Sequence, residues 1–225
     1  MIRKASIWTL LTLLACFLAG PLAAKDKLPE STKDGLKLAH QHDLGAVYLL
    51  PGATLADYDK VKLLDVYVAF KKNWQRDHNR DEIGLGNRVT DKDVERIKEK
   101  LAAEFPAVFK KVLEKGGYTV VDDTGPDILL LRPAIINLTV TAPDMMSAGM
   151  SRTYVQSAGT MTLYMELYDS QTSEKFAEVL DAEEAGESFA HEANRVTNKA
   201  DFDRTLEKWA RLLVKRLDET HNVSH

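Results

Sequence analysis

Cysteine is almost absent from this 225-residue chain, in which Cys16 is the single example. Cys16 lies in an apolar N-terminal stretch, so the remainder of the chain can form neither an internal disulfide nor a zinc site built from cysteine. Small folds that depend on disulfides or on structural zinc are therefore excluded.

Glycine and proline are also few, at 12 and 7 residues, and neither sign of charge is in large excess, with 30 Lys and Arg against 34 Asp and Glu. The low glycine and proline content excludes collagen-like chains. The charge balance argues against a nucleic-acid partner, because binding of phosphates requires a basic surface. The hydrophobic fraction of 44% is typical of a globular domain.

A long apolar stretch occurs only at the start of the chain. Residues 7–19 follow two basic residues, which is typical of a secretory signal, and cleavage is predicted after Ala24. In an alternative interpretation, residues 13–16 form a lipobox and Cys16 is acylated. The sequence therefore predicts a periplasmic or secreted protein, with a membrane-anchored lipoprotein as the alternative and membrane contact only if Cys16 is lipidated.

Three segments are predicted along the chain: a signal peptide at residues 1–24, a mobile tether at 25–43 and a single domain at 44–221. Alternation of apolar and polar residues indicates strands. The predicted strands are residues 61–70, 118–121, 128–140 with a bulge at Pro133, 159–168 and 175–184, the last two joined by a hairpin turn.

Helical spacing of apolar residues indicates two main helices. The first begins at a capping box, Thr90 with Asp93, and ends at Gly116, with a kink or a break into two helices expected at Pro106. The second begins at Asp201 and carries an apolar stripe with Trp209, predicted to be buried, at its middle. The predicted fold class is α+β: a single domain with a mixed, mostly antiparallel sheet and two main helices packed chiefly on one face.

Four short stretches resemble a known family when they are taken together. They comprise a Pro-Gly pair within residues 48–52, an acidic and aromatic entry into a strand at 57–61, an apolar strand with an Arg-Pro pair at 127–134, and a turn of Asp-Ser-Gln-Thr at 168–172. As a set they resemble the bacterial envelope proteins of the domain-of-unknown-function family 3313, over about residues 44–186. The resemblance implies an exported α/β domain, often a lipoprotein, whose role is unknown and for which no catalytic residues are defined.

Two aperiodic segments, residues 73–87 and 142–158, are predicted to be long loops. Methionine supplies deformable apolar surface, and Arg, Tyr and Trp are enriched at binding hot spots. The predicted contact surface comprises Met145, Met146, Met150, Arg152, Tyr154 and Trp74. The expected function is that of a non-enzymatic cell-envelope protein that docks on an envelope protein or a cell-wall partner through these loops.

Two alternative functions stay open. The first is a periplasmic carrier of a small ligand or a metal, which would use His40 and His42 or the methionine cluster; His221 and His225 are a weaker pair. The second is a carboxylate-dependent hydrolase. Its candidate acids, all near predicted strand ends, are Asp122, Asp123, Asp127, Asp169, Asp181, Glu183 and Glu184. The chain has no nucleophile elbow or phosphate-binding loop, so neither an enzyme nor a cofactor is predicted.

Overall fold

The computed structural model describes residues 28–39, 44–81, 88–141, 153–155, 158–185, 191–193 and 195–223. Its strands are β1 (Lys37–Ala39), β2 (Ala46–Leu49), β3 (Lys60–Leu63), β4 (Tyr67–Phe70), β5 (Thr119–Val120), β6 (Ile128–Val140), β7 (Thr153–Val155), β8 (Gly159–Asp169), β9 (Lys175–Ala185) and β10 (His191–Ala193). Its helices are α1 (Trp74–Asp81), α2 (Asp91–Lys115) and α3 (Arg195–Val223).

Eight of these strands form one mixed sheet, which confirms the predicted fold class. The order across the sheet is β1-β2-β9-β8-β6-β3-β5, and β4 also pairs with β6, beyond the end of β3. The strands β3, β4 and β5 are parallel to their partners, whereas the pairs on the other side of β6 are antiparallel. The strands β7 and β10 form a separate two-stranded sheet.

The two main helices cover one face of the large sheet, here called the inner face. Buried residues of α2 and α3 share one core cluster with alternate residues of β6 and β8, for example Leu131, Ile135 and Met165. A smaller cluster on the opposite, outer face holds Leu36 against Ala46 and Tyr48 of β2. The period of two along each strand therefore separates a helix-covered face from a more polar one.

The strand β6 has the predicted bounds but is more regular at Pro133 than predicted. Pro133 pairs with Met165 of β8, and the irregularity lies instead between Ile136 and Thr139. Pro133 is tolerated because β3 ends opposite Leu131 and β4 begins opposite Ala134, so it lies between two partner strands. The predicted bulge at Pro133 is therefore wrong, and the predicted strand at 61–70 is two strands, β3 and β4.

The helix α2 begins as predicted and continues through its proline. Thr90 and Asp93 form the reciprocal capping box, and Gly116 follows the last residue of the helix. Pro106 removes one helical hydrogen bond, yet the helix is continuous across it because its apolar side is buried on both sides of the proline, at Phe105 and Phe109. The predicted break into two helices is wrong.

Several predicted irregular segments contain secondary structure. The predicted tether at 25–43 includes β1 and the fully buried Leu36, and the predicted loop at 73–87 includes α1. The predicted loop at 142–158 includes β7, and α3 begins at Arg195, ahead of the predicted Asp201. These elements are short or polar, so they lack the long apolar periodicity from which the other elements were predicted.

Candidate ligand-binding site

A cavity of about 420 Å³ lies between α3 and the inner face of the sheet, at the side of β2, β8 and β9. Its floor is made by rows of side chains that pair across these strands. In one row Val47 of β2 lies opposite Val179 of β9, which lies opposite Met165 of β8. The alternation of each strand directs all three side chains into the space below α3, so the floor is apolar.

The roof of the cavity is the apolar stripe of α3. Trp209, Leu213 and Leu217 are spaced four residues apart, which places them on one side of a helix, and all three line the cavity. Trp209 is 2% exposed, as the sequence predicted, and Leu217 is fully buried. This stripe contacts the sheet and also forms the cavity wall, so the stability of the fold and the shape of the site depend on the same residues.

A hydrogen bond keeps the polar atom of the Trp209 indole satisfied. Its Nε1 donates to Oδ2 of Asp181 at 2.7 Å, and Oδ1 of the same carboxylate accepts from the backbone N–H of Gly45, also at 2.7 Å. Asp181 is 5% exposed, so an unpaired carboxylate here would be costly. The bonds join β9 to both α3 and the segment that enters β2.

The charged groups of the cavity lie at its rim. Arg216 and Glu219 of α3 form an ion pair, with Nη1 and Oε2 at 2.7 Å, and their side chains are 31% and 48% exposed. The hydroxyl-bearing residues that line the cavity are Thr54 and Thr220. The exposed Leu49 completes this edge. The described part of the site thus has an apolar interior and a polar rim whose two charges balance.

These features suit the binding of a small apolar molecule. The volume falls within the usual range for ligand pockets, and a mostly apolar lining with a few polar groups is typical of them. Within the described ranges, the lining contains no His, Cys or Ser, and no group of three or more His, Cys, Asp and Glu is placed to hold a metal ion.

The predicted contact residues do not come together in the described structure. Trp74 is only 8% exposed: it stacks on Phe70 with ring centroids 4.3 Å apart and packs in a small core with Val89 and Val140. Its assignment to a contact surface is therefore wrong, because an amphipathic turn of helix α1 carries it inward. Tyr154 lies in β7, opposite Glu192 of β10. Predicted positions outside the described residues are Met145, Met146, Met150, Arg152, Cys16, His40, His42 and His225.

His221, the remaining histidine of those pairs, lies near the end of α3. Its Nδ1 is 3.2 Å from the hydroxyl of Tyr118, and that hydroxyl donates to Asp218 at 2.8 Å. Burial and the carboxylate of Asp218 raise the pKa of Tyr118. These contacts join α3 to the start of β5.

Four of the seven candidate carboxylates, Asp127, Asp169, Asp181 and Glu183, bond to structural partners. Asp169 accepts a 2.7 Å hydrogen bond from the Tyr58 hydroxyl and others from the N–H groups of Gln171 and Thr172, within the β8–β9 turn. The Thr172 amide and the Tyr58 hydroxyl lower the pKa of Asp169 to about 2. Among the other candidates, Asp127 pairs with Lys60, Glu183 pairs with Lys208 and Asp181 bonds Trp209.

A second polar cluster lies on the outer face of the sheet, around Glu166. This carboxylate is 2% exposed and lies 2.7 Å from Lys175 Nζ and 2.7 Å from Arg132 Nη2, and it accepts a 2.9 Å hydrogen bond from the Tyr164 hydroxyl. Burial alone raises the pKa of Glu166, but the bonds from Lys175 and Tyr164 outweigh it and lower the pKa. Lys175 also binds Asp34 at 2.6 Å, which fixes the N-terminal segment to the sheet.

Sequence reasoning missed the cavity and its rim. The apolar stripe of α3 was visible, but a stripe does not show how far a helix stands from the sheet below it. Arg216 and Glu219 form an (i, i+3) ion pair in the last turns of α3. That spacing is common on solvent-exposed helices and carried no signal of a site.

A family model described as "Protein of unknown function (DUF3313)" matches residues 30–213 of the chain. No curated protein matches. No helix in the described ranges is both long enough and apolar enough to cross a membrane.

Solved structures of similar proteins include three from different bacteria. The PelC dodecamer from Paraburkholderia phytofirmans is 12% identical, with 72% of this chain and 92% of that chain covered and a TM-score of 0.36. A minor lipoprotein from Acinetobacter baumannii is 10% identical, with coverage of 73% and 94% and a TM-score of 0.33. A DUF4136 family protein from Bacteroides thetaiotaomicron is 11% identical, with coverage of 82% and 97% and a TM-score of 0.29.

Proposed function

The chain belongs to the DUF3313 family of proteins of unknown function, and from that premise we propose that it is a non-enzymatic, periplasmic protein of the cell envelope that binds a small apolar ligand between α3 and the sheet. The observation that carries this proposal is the cavity of about 420 Å³ with an apolar floor and roof. In this cavity the apolar floor of the sheet and the apolar stripe of α3 face each other without filling the space between them.

The energetics favour an apolar occupant. Protein interiors are normally packed without voids larger than a water molecule, because unfilled space forfeits dispersion contacts. Val179 of the floor and Leu213 of the roof line the cavity and are only partly buried, so apolar surface of both faces the unfilled space. A ligand that filled the space between them would replace water against apolar surface, and burial of that surface is favourable.

We do not assign a reaction to the cavity. Among the residues that the structure describes, its polar groups are Arg216, Glu219, Thr54 and Thr220, and none of them is an imidazole or a thiol that would serve as a base or a nucleophile. The function supported best is therefore binding rather than catalysis.

The proposal is tested by filling the cavity from its floor. Ala177→Met places a larger side chain in the cavity and so reduces its volume. The matched control, Ala134→Met, adds the same side chain on the outer face, where Ala134 pairs with Tyr164. Binding of the uncharged fluorescent probe N-phenyl-1-naphthylamine to the exported protein is measured by titration. We expect the Ala177 variant to bind at least tenfold more weakly than the native protein and the Ala134 variant to bind equally well. Equal binding by all three proteins would overturn the proposal.

Docking on an envelope protein or a cell-wall partner is the second candidate function. The observation that favours it is the small β7–β10 sheet, which holds part of the predicted contact segment outside the large sheet and beside the start of α3. Residues 142–152, with their three methionines and Arg152, lead into this small sheet. Crosslinking in envelope preparations tests it: replacement of Met145, Met146 and Met150 by Ser should abolish a specific crosslinked product, and an unchanged product would exclude these residues.

The site of export cleavage determines how the protein is held in the envelope. We propose cleavage after Ala24, which releases a periplasmic protein, and N-terminal sequencing of the exported form tests this. An acylated Cys16 at the new N-terminus would instead make the protein a membrane-anchored lipoprotein.

A further inference from the structure

We propose that the cavity ligand is an uncharged single-chain amphiphile, whose hydrocarbon chain lies under α3 and whose hydroxyl or amide head group lies at the rim beside Arg216 and Glu219. This inference rests on the proposed function, because it names the class of molecule that the same site would bind. It comes from the shape of the apolar interior and from the charges at the rim.

The shape of the cavity fits a single chain. The lining residues of α3 run from Trp209 to Thr220, and at 1.5 Å per residue this distance is about 16 Å along the helix axis. The floor is formed by β2, β9 and β8, which are three adjacent strands and span only about 10 Å. A space of about 420 Å³ that is longer than it is wide accommodates one extended hydrocarbon chain better than a fused ring system or a pair of chains.

The charges at the rim fit an uncharged head group. Among the described residues, the charged members of the lining are Arg216 and Glu219, one of each sign, and they are paired at 2.7 Å. A carboxylate head that approached Arg216 would lie beside the carboxylate of Glu219, and an ammonium head near Glu219 would lie beside the guanidinium of Arg216. Either ion meets repulsion at short range, which offsets the attraction that it gains.

An uncharged head group with both donors and acceptors avoids this conflict. A hydroxyl or an amide can accept a hydrogen bond from the Arg216 guanidinium and donate one to the Glu219 carboxylate while the ion pair stays intact. The threonines at the rim, Thr54 and Thr220, add further hydroxyl groups of the same neutral character. The rim therefore selects by charge, and the interior selects by the length of the chain.

An ordinary surface ion pair would give no such selection, and α3 contains one for comparison. Arg211 and Glu207 pair at 3.1 Å on the same helix, with a side-chain exposure of 62% for Arg211, and neither lines the cavity. Exposed pairs of this kind contribute little to stability. Glu207 thus provides a control for the removal of one carboxylate from α3.

The test compares three head groups on one chain length. Dodecanoyl glycerol, dodecanoate and dodecylamine are titrated at pH 7 into the exported protein, each below its aggregation concentration, by isothermal calorimetry. We expect the glycerol ester to bind at least tenfold more tightly than either ion. Shortening its chain by one CH₂ should weaken binding three- to fourfold, as expected for burial of each CH₂.

The variant Glu219→Gln identifies the residue that excludes the anion. It removes one carboxylate from beside Arg216 at the rim, so dodecanoate should bind at least fivefold more tightly than it does to the native protein, while Glu207→Gln leaves all three affinities unchanged. Equal affinities for the three head groups, or an unchanged affinity of the Glu219 variant for dodecanoate, would overturn this inference and leave the proposed function intact. Failure of all three molecules to bind would overturn both.

Discussion

The indole nitrogen of Trp209 in α3 donates a hydrogen bond of 2.7 Å to the buried carboxylate of Asp181 in β9, a residue 28 positions earlier in the sequence. Trp209 is also part of the roof of the cavity. One side chain therefore fixes the helix to the sheet through its polar edge and presents an apolar face to the candidate site. The loss of stability on substitution of Trp209 should therefore depend on whether the whole side chain or only the hydrogen-bond donor is removed.

Trp209→Ala should lower the free energy of unfolding by about 3 to 5 kcal/mol, since it deletes a large buried side chain. Trp209→Phe should cost less, about 1 to 3 kcal/mol, because an aromatic ring remains and the main loss is the donor to Asp181. Urea denaturation measures both values, with the exposed Arg211→Ala as a control that should change by less than about 1 kcal/mol. An unchanged free energy for Trp209→Ala would mean that α3 packs by another face.

Stability should also depend on pH through Asp169. The Thr172 amide and the Tyr58 hydroxyl lower the pKa of this carboxyl from 3.8 to about 2, so the folded state favours the ionised form. A lowered folded-state pKa stabilises the protein above the unfolded value, and this contribution is lost as the pH falls from about 4 to about 2. At neutral pH it is about 2 kcal/mol.

Urea denaturation of the native protein and of Asp169→Asn across pH 2 to 7 checks this. The amide does not ionise, so the variant should be less stable at pH 7, and the difference between the two proteins should shrink towards pH 2. A difference that stays constant over this range would show that folding does not lower the pKa of the Asp169 carboxyl.

The long elements of the fold could be predicted from the sequence because each buries one complete face. Eleven-residue strands such as β8 alternate over enough positions to distinguish an inner from an outer face, and the stripe through Trp209 repeats over several turns of α3. The helix α1 and the strand β1 have eight and three residues, so they bury too few positions to produce a period. Pairing with β2 and packing of Leu36, which are contacts distant in the sequence, hold β1 in place.

The candidate site could be predicted only in part. The apolar neighbours of Trp209 in the stripe predict that it is buried. The sequence around its partner Asp181, in contrast, is that of a solvated acid near a strand end. Trp74 looked like a loop residue, since α1 is otherwise polar. The cavity itself depends on the distance between α3 and the sheet, and that distance is set by packing of the whole domain rather than by any local pattern.

The buried carboxylate of Glu166 should depend on its partner Lys175. Lys175→Met removes one of the two cations beside Glu166, and a buried charge that loses its partner typically costs 3 to 5 kcal/mol. Arg132 remains at 2.7 Å, so we expect a loss near the low end, about 3 kcal/mol in the free energy of unfolding. The double variant Lys175→Met, Glu166→Gln should recover part of this loss because no buried charge is left.

Chemical denaturation of both single variants and the double variant gives the coupling energy between the two residues. Asp34→Asn serves as the control for the exposed contact that Lys175 also makes, and it should cost less than about 1 kcal/mol. Strictly additive losses would mean that Lys175 and Glu166 do not stabilise each other in the folded protein.

Gly159, the first residue of β8, should be the least replaceable of the described glycines. Its φ is +148°, and a Cβ atom built on it would lie 1.9 Å from the backbone oxygen of Thr139. This residue pairs with Val140 just beyond the irregularity in β6, so the two backbones approach closely there. Gly159→Ala therefore requires the strands to move apart and should lower the free energy of unfolding by at least about 3 kcal/mol, from backbone strain together with overpacking.

Gly35→Ala separates the effect of close approach from that of φ alone. Gly35 has a φ of +84°, but nothing lies within 4 Å of the Cβ position, so its substitution should cost only about 1 to 2 kcal/mol. Thermal or urea denaturation of the two variants measures the difference. Because the clash at Gly159 is with backbone atoms, no rotation of a neighbouring side chain can relieve it, and equal losses in the two variants would show that β6 and β8 separate at this point without appreciable cost.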